Sequence, residues 1–376
     1  MRASEKLRIL HTEASLGWGG QEIRILTEAA GMRSRGHDVR LACPRNARIY
    51  AEASRYDVPA VALPIARKGP EGVLALRRLL AGHRVDVVNT HSSTDSWLAA
   101  LGLRLFWVGK ERPPALVRTR HISAPIANRA PTRWLYTRAT AEIVTTGEAI
   151  RQQLIREIGV SPARVTSVPT GVDSTLFDPG DKQGARRMLK LPQAVPLLGI
   201  VATLRSWKGH CYLIEAMTLL AHREAQLLIV GEGPQREAIE AQIAELGLAH
   251  RVRLVGNQYD IAPWLRALDV FALPSYANEG VPQALAQAML IGVPCVTTDA
   301  GSIGEIAIHD STALVAAKRN AIALAAGIDR LLGNAALGAR LAWAARERVH
   351  GRFGLETMLD EMEGVFRRAA HGNRYR

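Results

Sequence analysis

Apolar residues along the chain fall into two alternating rhythms. Short, nearly continuous apolar runs rich in Val, Ile and Leu are bounded by turn residues. Between them, apolar positions recur every three or four residues. The first pattern marks strands buried on both faces of a parallel sheet, the second the amphipathic helices that cross over them. In the first half, strands are predicted over 7–13, 38–43, 58–65, 85–91, 115–120, 142–146 and 165–169. Within 21–35, Ile23, Leu26, Ala30 and Met32 define one helical face, and Gly36 ends it. Segment 170–184 (TGVDSTLFDPGDKQG) is dense in turn formers and predicts an interdomain hinge. A second series follows over 196–203, 225–230, 252–256, 269–273, 293–298 and 312–316. The tail, 320–370, reads as helical throughout, with Leu359, Met362, Val365 and Phe366 at helical spacing.

This alternation predicts an α/β chain of two Rossmann-like domains, and 376 residues suit two such cores. Doubly wound sheets hold ligands at the C-terminal ends of their strands. If two such edges face each other they form a cleft, so residues just after strands are the candidates for chemistry.

Composition narrows the class. Hydrophobic residues at 48% and charged residues at 22% are ordinary for a globular chain and argue against disorder. No run approaches the ~20 apolar residues of a membrane span. The charged start, MRASEKLRIL, leads straight into a strand and does not read as a secretory signal. Cys43, Cys211 and Cys295 lack metal or redox spacing, which suits a reduced cytoplasmic compartment. The net charge of +13 is uneven: residues 1–178 hold 26 Lys and Arg against 16 Asp and Glu. That excess fits either a solvated basic surface or an anionic partner such as a phosphorylated substrate or a membrane. Nucleic acid fits the charge alone, since no aromatic stacking module accompanies it, and is not expected.

Four stretches could carry chemistry. Gly17-Trp18-Gly19-Gly20 follows the first strand and opens the first helix, where a ligand's anionic group can approach backbone amides. It is not GxGxxG, and no acidic residue ends the second strand, so a dinucleotide oxidoreductase is not supported. Arg205-Ser206-Trp207-Lys208-Gly209 follows the strand that opens the second half; two cations there suit a diphosphate. Residues 274–294 (PSYANEGVPQALAQAMLIGVP) place Glu279 and Gly280 on a loop before a helix predicted to begin at Pro282. Its unpaired first amides favour a phosphate or a sugar hydroxyl. Gln287 lies about one turn in, on a face that can reach the same ligand. Arg118-Thr119-Arg120-His121 ends the fifth strand, near His91 and Asp95 after the fourth; one of the two arginines is expected to be buried or paired. Asp-x-Asp, HExxH, paired CxxC, a Walker loop and GxSxG are all missing, which leaves metal hydrolysis, ATP-dependent phosphoryl transfer and serine esterase chemistry without support.

With these residues in place, the chain resembles glycosyltransferase family 4, the retaining GT-B enzymes. The second half carries the resemblance through VPTGVDSTLF (168–177), RSWKG (205–209), LLIVGEGP (227–234), RVRLVGN (251–257), ALDVFALPS (267–275), EGVPQALAQAM (279–289) and GVPCVTTDAGSIGEI (292–306). The first half is similar more loosely, through the Gly19-Gly20 loop, RGHDV (35–39) and His121. The resemblance implies an acceptor domain over 1–178 and a donor domain over 185–353. A last helix over about 354–376 would cross back to the first domain.

It also implies roles. Lys208 with Arg205 would neutralise the donor diphosphate, approached by Gly19 and Gly20. Glu279, with the backbone of Gly280, Val281 and Pro282, would contact the transferred sugar, and His121 would stand beside the reacting centre. Gly231, Gly256, Asn257 and Gln287 complete the expected donor set, and His91, Asp95 and Arg120 the acceptor set.

Two positions depart from the family pattern. Gln287 stands where a second glutamate usually holds the ribose, a loss of about 1 kcal/mol of charge-assisted bonding. Thr203 stands where an arginine is common, and Arg205 is the expected substitute. The implied reaction is metal-independent sugar transfer from a nucleotide diphosphate donor with anomeric retention, using UDP-sugar first and GDP-mannose second. No cofactor is expected, since the sugar nucleotide is a substrate. The acceptor would be a cell-surface glycan or a lipid-linked one, as in lipopolysaccharide or polysaccharide synthesis. The basic half, with Arg77, Arg78, Arg129, Arg133 and Arg138 near Leu79, Leu80, Trp134 and Leu135, suggests a peripheral position on the inner face of the cytoplasmic membrane. A sugar-nucleotide epimerase of the same fold and a non-catalytic sugar-nucleotide-binding relative are the alternatives.

Overall fold

The structure is a computed structural model that describes residues 5–105, 107 and 112–374. It divides into two compact units, Met1–Pro169 with Glu356–Arg376, and Thr170–Leu355.

The first unit is a seven-stranded parallel sheet built from β1 (Arg8–Thr12), β2 (Asp38–Cys43), β3 (Ala60–Ala62), β4 (Val87–Thr90), β5 (Ala115–Arg120), β6 (Glu142–Thr145) and β7 (Val165–Ser167). Its order is β3-β2-β1-β4-β5-β6-β7. The side on which successive parallel strands are added reverses between β1 and β4, which is where a doubly wound sheet leaves a crevice at its C-terminal edge. Each strand falls inside a stretch predicted from the apolar pattern. Its centre is not uniformly apolar: His11, Thr12, Asn89, Thr90 and Thr119 are buried on β1, β4 and β5. Helix Leu355–Arg374 belongs to this unit and is held by both packing and charge. Met358, Leu359, Met362, Val365 and Phe366 are buried. Arg35 reaches Glu356, Asp360 and Glu363 on successive turns, at 2.5, 2.8 and 3.2 Å.

The second unit is a six-stranded parallel sheet of β8 (Leu197–Val201), β9 (Gln226–Val230), β10 (Val252–Gly256), β11 (Val270–Leu273), β12 (Cys295–Thr297) and β13 (Leu314–Val315). Its order, β10-β9-β8-β11-β12-β13, puts the reversal between β8 and β11. The unit opens and closes on adjacent segments: Val172 accepts from and donates to the backbone around Phe353–Leu355, with N···O distances of 2.9 and 3.0 Å.

The tail departs from one continuous helical run. It forms three helices, Ala321–Leu332, Ala335–Arg352 and Leu355–Arg374. Asn320 and Asn334 cap the first two, each side chain accepting from the amide three residues on. The helix predicted to start at Pro282 spans Gln283–Ile291, with Pro282 extended just before it.

Candidate functional site

Each sheet reversal carries a cluster of the predicted residues. In the second unit, Arg205–Gly209 follows β8 and the loop with Glu279 follows β11, the two strands flanking the reversal. Lys208 Nζ lies 2.7 Å from Glu279 Oε1, with side chains 19% and 7% exposed. The loops are tied together again by the Tyr276 amide donating to the Trp207 carbonyl at 2.9 Å. Arg205 is exposed, its guanidinium 5.7 Å from the Trp207 ring centre rather than beside Glu279.

Glycine geometry explains how Glu279 is placed. Gly301 has φ +58°, and a Cβ there would stand 2.1 Å from the Glu279 carbonyl oxygen. The next amide, Ser302, donates to that same oxygen at 3.2 Å. Substituting Gly301 with alanine forces the Glu279 loop to move and adds about 1–3 kcal/mol of local backbone strain. The expected result is a melting temperature lowered by about 2–4 °C for each kcal/mol of that strain, which a thermal melt against wild type measures. An unchanged melting temperature would contradict the tight placement of Glu279.

The remaining donor-side residues fall into distinct settings. Gly231, with φ +144°, brings its backbone so close to Ala202 that a Cβ would meet the carbonyl oxygen at 2.0 Å. Its amide donates to Gly256 at 2.9 Å, which joins the ends of β8, β9 and β10. Asn257 just beyond is exposed. Gly280 and Val281 are buried, and Gln287 is buried one turn into the helix. Pro282 has no N–H, so the donors facing out of this helix end are the first-turn amides from Gln283 onward. His210, beneath the lysine loop, is missing from the predicted set. Burial, followed by the Lys208 charge, holds its pKa down to about 4, so the ring stays neutral.

In the first unit the glycine loop leads into helix Gly20–Ser34. Gly19 is extended at φ −177°, which any residue adopts, so the backbone itself does not demand glycine there. Glu13, at the start of this loop, accepts from the Ser15 amide at 2.7 Å and the Gln21 side chain at 2.5 Å. Burial, with the charges of Asp95 and Glu22 added, pushes its carboxyl up to about 8.

Past β4 and β5, the predicted acceptor residues come together differently from expectation. His91 Nδ1 lies 3.0 Å from His121 Nε2, and His91 Nε2 lies 3.0 Å from His11 Nδ1. Both ring nitrogens of His91 are therefore engaged by protein. Asp95 is fully buried; its carboxylate accepts from the Thr12 and Ser92 hydroxyls and from the amides of His91, Ser92 and Ser96. This corrects the expectation that His91 and Asp95 meet an acceptor: burial and full hydrogen bonding make them supports for His121 and the helix that Ser92 caps. Arg120 likewise ties down its own loop through the Ala124 carbonyl and the Tyr136 hydroxyl. Arg118 is the buried arginine of the pair, its guanidinium 4.3 Å from the Tyr136 ring centre. His121, just past β5, is half-buried, as is Arg120, whereas His91, Asp95 and Arg118 are buried.

Sequence reasoning missed His11, Glu28 and Asn89. The signal for His11 and Asn89 was a polar residue inside an otherwise apolar strand, as in RILHT and VVNT, where a buried polar group needs a partner; Glu28, on helix Gly20–Ser34, carried no such signal.

Burial of so many titratable groups has a measurable consequence. It lowers the pKa of His11 to about 3 and His210 to about 4, and lowers those of His37, His91 and His121. Below pH ~6.5 unfolding takes up protons at these five rings, so stability falls as pH falls. Glu13 is raised to about 8, Glu28 to about 7, and Asp95 is raised in the same sense, chiefly by burial. Unfolding above their ordinary values releases protons, so these groups lose stability as pH rises. Histidines dominate up to about pH 6.5 and the carboxyls above it. The melting temperature is thus expected to peak near pH 6.5, with the unfolding free energy changing by about 1.4 kcal/mol per pH unit for each net proton taken up or released. A steady rise from pH 6 to 8 would contradict this balance.

Residues 18–176 match the family described as Glycosyltransferase Family 4, and residues 195–334 the domain described as Glycosyl transferases group 1. The chain belongs to the family 4 glycosyltransferases of GT-B fold. It is 26% identical to the Escherichia coli UDP-Gal:alpha-D-GlcNAc-diphosphoundecaprenol alpha-1,3-galactosyltransferase, over 78% of this chain and 80% of that protein. It is 28% identical to the D-inositol 3-phosphate glycosyltransferase of Stackebrandtia nassauensis, over 75% and 68%. Among solved structures, Anabaena Alr3699/HepE in complex with UDP and glucose superposes with a TM-score of 0.83 at 21% identity, covering 96% of this chain and 99% of that one.

Proposed function

We propose that the chain moves a hexose from a nucleotide diphosphate sugar, UDP-linked by first choice and GDP-mannose by second, to a hydroxyl of a lipid-linked or cell-surface glycan with retention of anomeric configuration. The observation that carries this reading is the part-buried Lys208–Glu279 pair at the reversal of the second sheet. A diphosphate arriving there competes for Lys208. Its capture by phosphate frees Glu279 to accept from hydroxyls of the sugar. As the glycosidic C–O bond breaks, its electron pair goes to the diphosphate, whose growing charge Lys208 neutralises, with Arg205 in reach of the same loop. The acceptor oxygen bonds to the anomeric carbon on the same face, and its proton passes to the departing phosphate oxygen. The lack of any Asp-x-Asp in the sequence supports doing this without a bound divalent cation.

The donor choice is supported by the E. coli relative, named for UDP-galactose. Both named relatives take phosphate-bearing acceptors, which suits the basic first half of this chain. Among the described residues, no single helix is long and apolar enough to cross a membrane. Peripheral attachment to anionic lipid on the cytoplasmic face is supported by Arg78, Arg129, Arg133 and Arg138, all exposed. Leu80 and Leu135 are core residues and do not contribute to that surface.

The test is incubation with UDP- and GDP-hexoses and a diphosphate-linked lipid bearing one sugar, following the product's anomeric proton by NMR. Formation of an α-linked product from an α-linked donor is expected. A β-linked product would overturn retention, and isomerised donor without transfer would favour an epimerase.

A further inference from the structure

A line of side chains runs from the buried interior of the first unit to the half-buried His121 at the C-terminal edge of its sheet. Glu28 stands on helix Gly20–Ser34, His11 on β1, His91 after β4 and His121 after β5. The His11 and His91 rings stack at 5.3 Å between centroids, and His91 and His121 follow at 5.2 Å. Phe366 of the last helix closes the inner end, its ring edge-on to His11 at 6.1 Å. Burial lowers the pKa of all three rings, so each is neutral at physiological pH.

A neutral imidazole has one N–H and one bare nitrogen. Two ring-to-ring hydrogen bonds of 3.0 Å therefore permit two orders only. In one, every ring carries its proton on Nε2, His121 donates to His91, His91 donates to His11, and the last N–H points at Glu28. In the other, every proton sits on Nδ1 and every bond runs outward. A mixed order would leave two lone pairs, or two protons, facing each other across 3.0 Å.

The inner end breaks the tie. His11 Nε2 faces Glu28 Oε1 at 4.0 Å, too far for a direct hydrogen bond but close for a charge in a dry interior. Glu28 is held by one cation and one donor: Arg24 Nε forms an ion pair with Oε2 at 3.6 Å, and Asn89 Nδ2 donates to Oε1 at 3.3 Å. Thr119 donates to Asn89 Oδ1 at 2.9 Å, which fixes the amide with its NH2 toward Glu28. A carboxylate oxygen attracts an N–H and repels a lone pair. The inward order is the one that puts the His11 proton on Nε2.

We propose that Glu28, through His11 and His91, holds His121 with its proton on Nε2 and its Nδ1 bare, so that the ring offers the active edge an acceptor. Glu28, His11 and His91 are positioning residues. The role of His121 as the group that receives a substrate hydroxyl rests on the transferase reading above; the protonation order itself does not. With Nδ1 bare, His121 accepts from a sugar or acceptor hydroxyl and cannot donate from that atom to a phosphate.

The test is a two-bond proton–nitrogen correlation spectrum of the full chain labelled with 15N-histidine, at about pH 8 and without substrate. That pH is above the value of about 7 to which burial raises Glu28. Signals of His121 are identified by their loss in His121→Gln. The expected spectrum shows His121, His91 and His11 all protonated on Nε2 and bare on Nδ1. In Glu28→Gln the carboxylate charge that selects the inward order is removed, while Asn89 keeps an amide oxygen on its side, so His121 averages between its two forms. In His91→Phe the link is cut and His121 averages between its two forms. A wild-type His121 protonated on Nδ1, or averaged, would overturn the proposal even if neither variant folds. So would a folded Glu28→Gln protein whose His121 is unchanged. No donor or acceptor enters the measurement, so failure of the transferase reading leaves it interpretable.

Discussion

Lys208→Ala is expected to lower sugar transfer by about 10²- to 10³-fold in kcat, the range for removing one charge aimed at a developing oxyanion. Two losses combine. On the proposed reaction the leaving diphosphate loses the cation that would neutralise it, and Glu279, 7% exposed, is left without the partner 2.7 Å away. Because the pair lies on loops at a strand edge, the sheet beneath should stay folded. Steady-state kinetics beside a thermal melt separate the two effects. Lys208→Arg keeps the charge but replaces a compact ammonium by a planar fork, so only partial recovery is expected. An unchanged kcat in Lys208→Ala, with the protein folded, would remove Lys208 from the chemistry.

Arg24→Ala is expected to produce the largest loss of stability, about 3–5 kcal/mol. Arg24 is fully buried. Its guanidinium donates to the Val168 carbonyl at 2.8 Å, faces Glu28 at 3.6 Å and touches the Met362 sulfur. Truncation leaves a carboxylate and a carbonyl in a dry interior without their cation, and loosens the contact of the last helix. The melting temperature should fall on the order of 10 °C for a unit of this size. Adding Glu28→Gln should restore part of the loss, because the second change removes the charge that the first left unpaired. If Arg24→Ala melts with wild type, the buried pair is not the support described here.

The fold was legible in the chain to an unusual degree because its strands are buried on both faces. Continuous apolar runs such as LLIV and VFAL leave little ambiguity once helical periodicity surrounds them, and the loops that follow are placed by the ends of those runs. The punctuation of the tail was less visible: Asn320 and Asn334 cap helices by a single side-chain bond each, which apolar periodicity does not register. That Lys208 and Glu279 stand on loops after strands was also legible, and the structure brings the two side chains within 2.7 Å. What periodicity hides is depth. His91 and Asp95 follow a strand, as surface ligands do, but neighbouring side chains use up their polar atoms. The supporting set of His11, Glu28 and Asn89 is assembled from β1, β4 and a helix, so only the folded arrangement reveals it.

The most direct test of the central claim is calorimetric titration of the full chain with UDP, GDP and ADP in the absence of added metal. Binding of one nucleoside diphosphate in the micromolar range, in preference to the other two and lost in Lys208→Ala, is the predicted result. Absence of binding to all three by a folded protein would contradict a donor site built on Lys208 and Glu279.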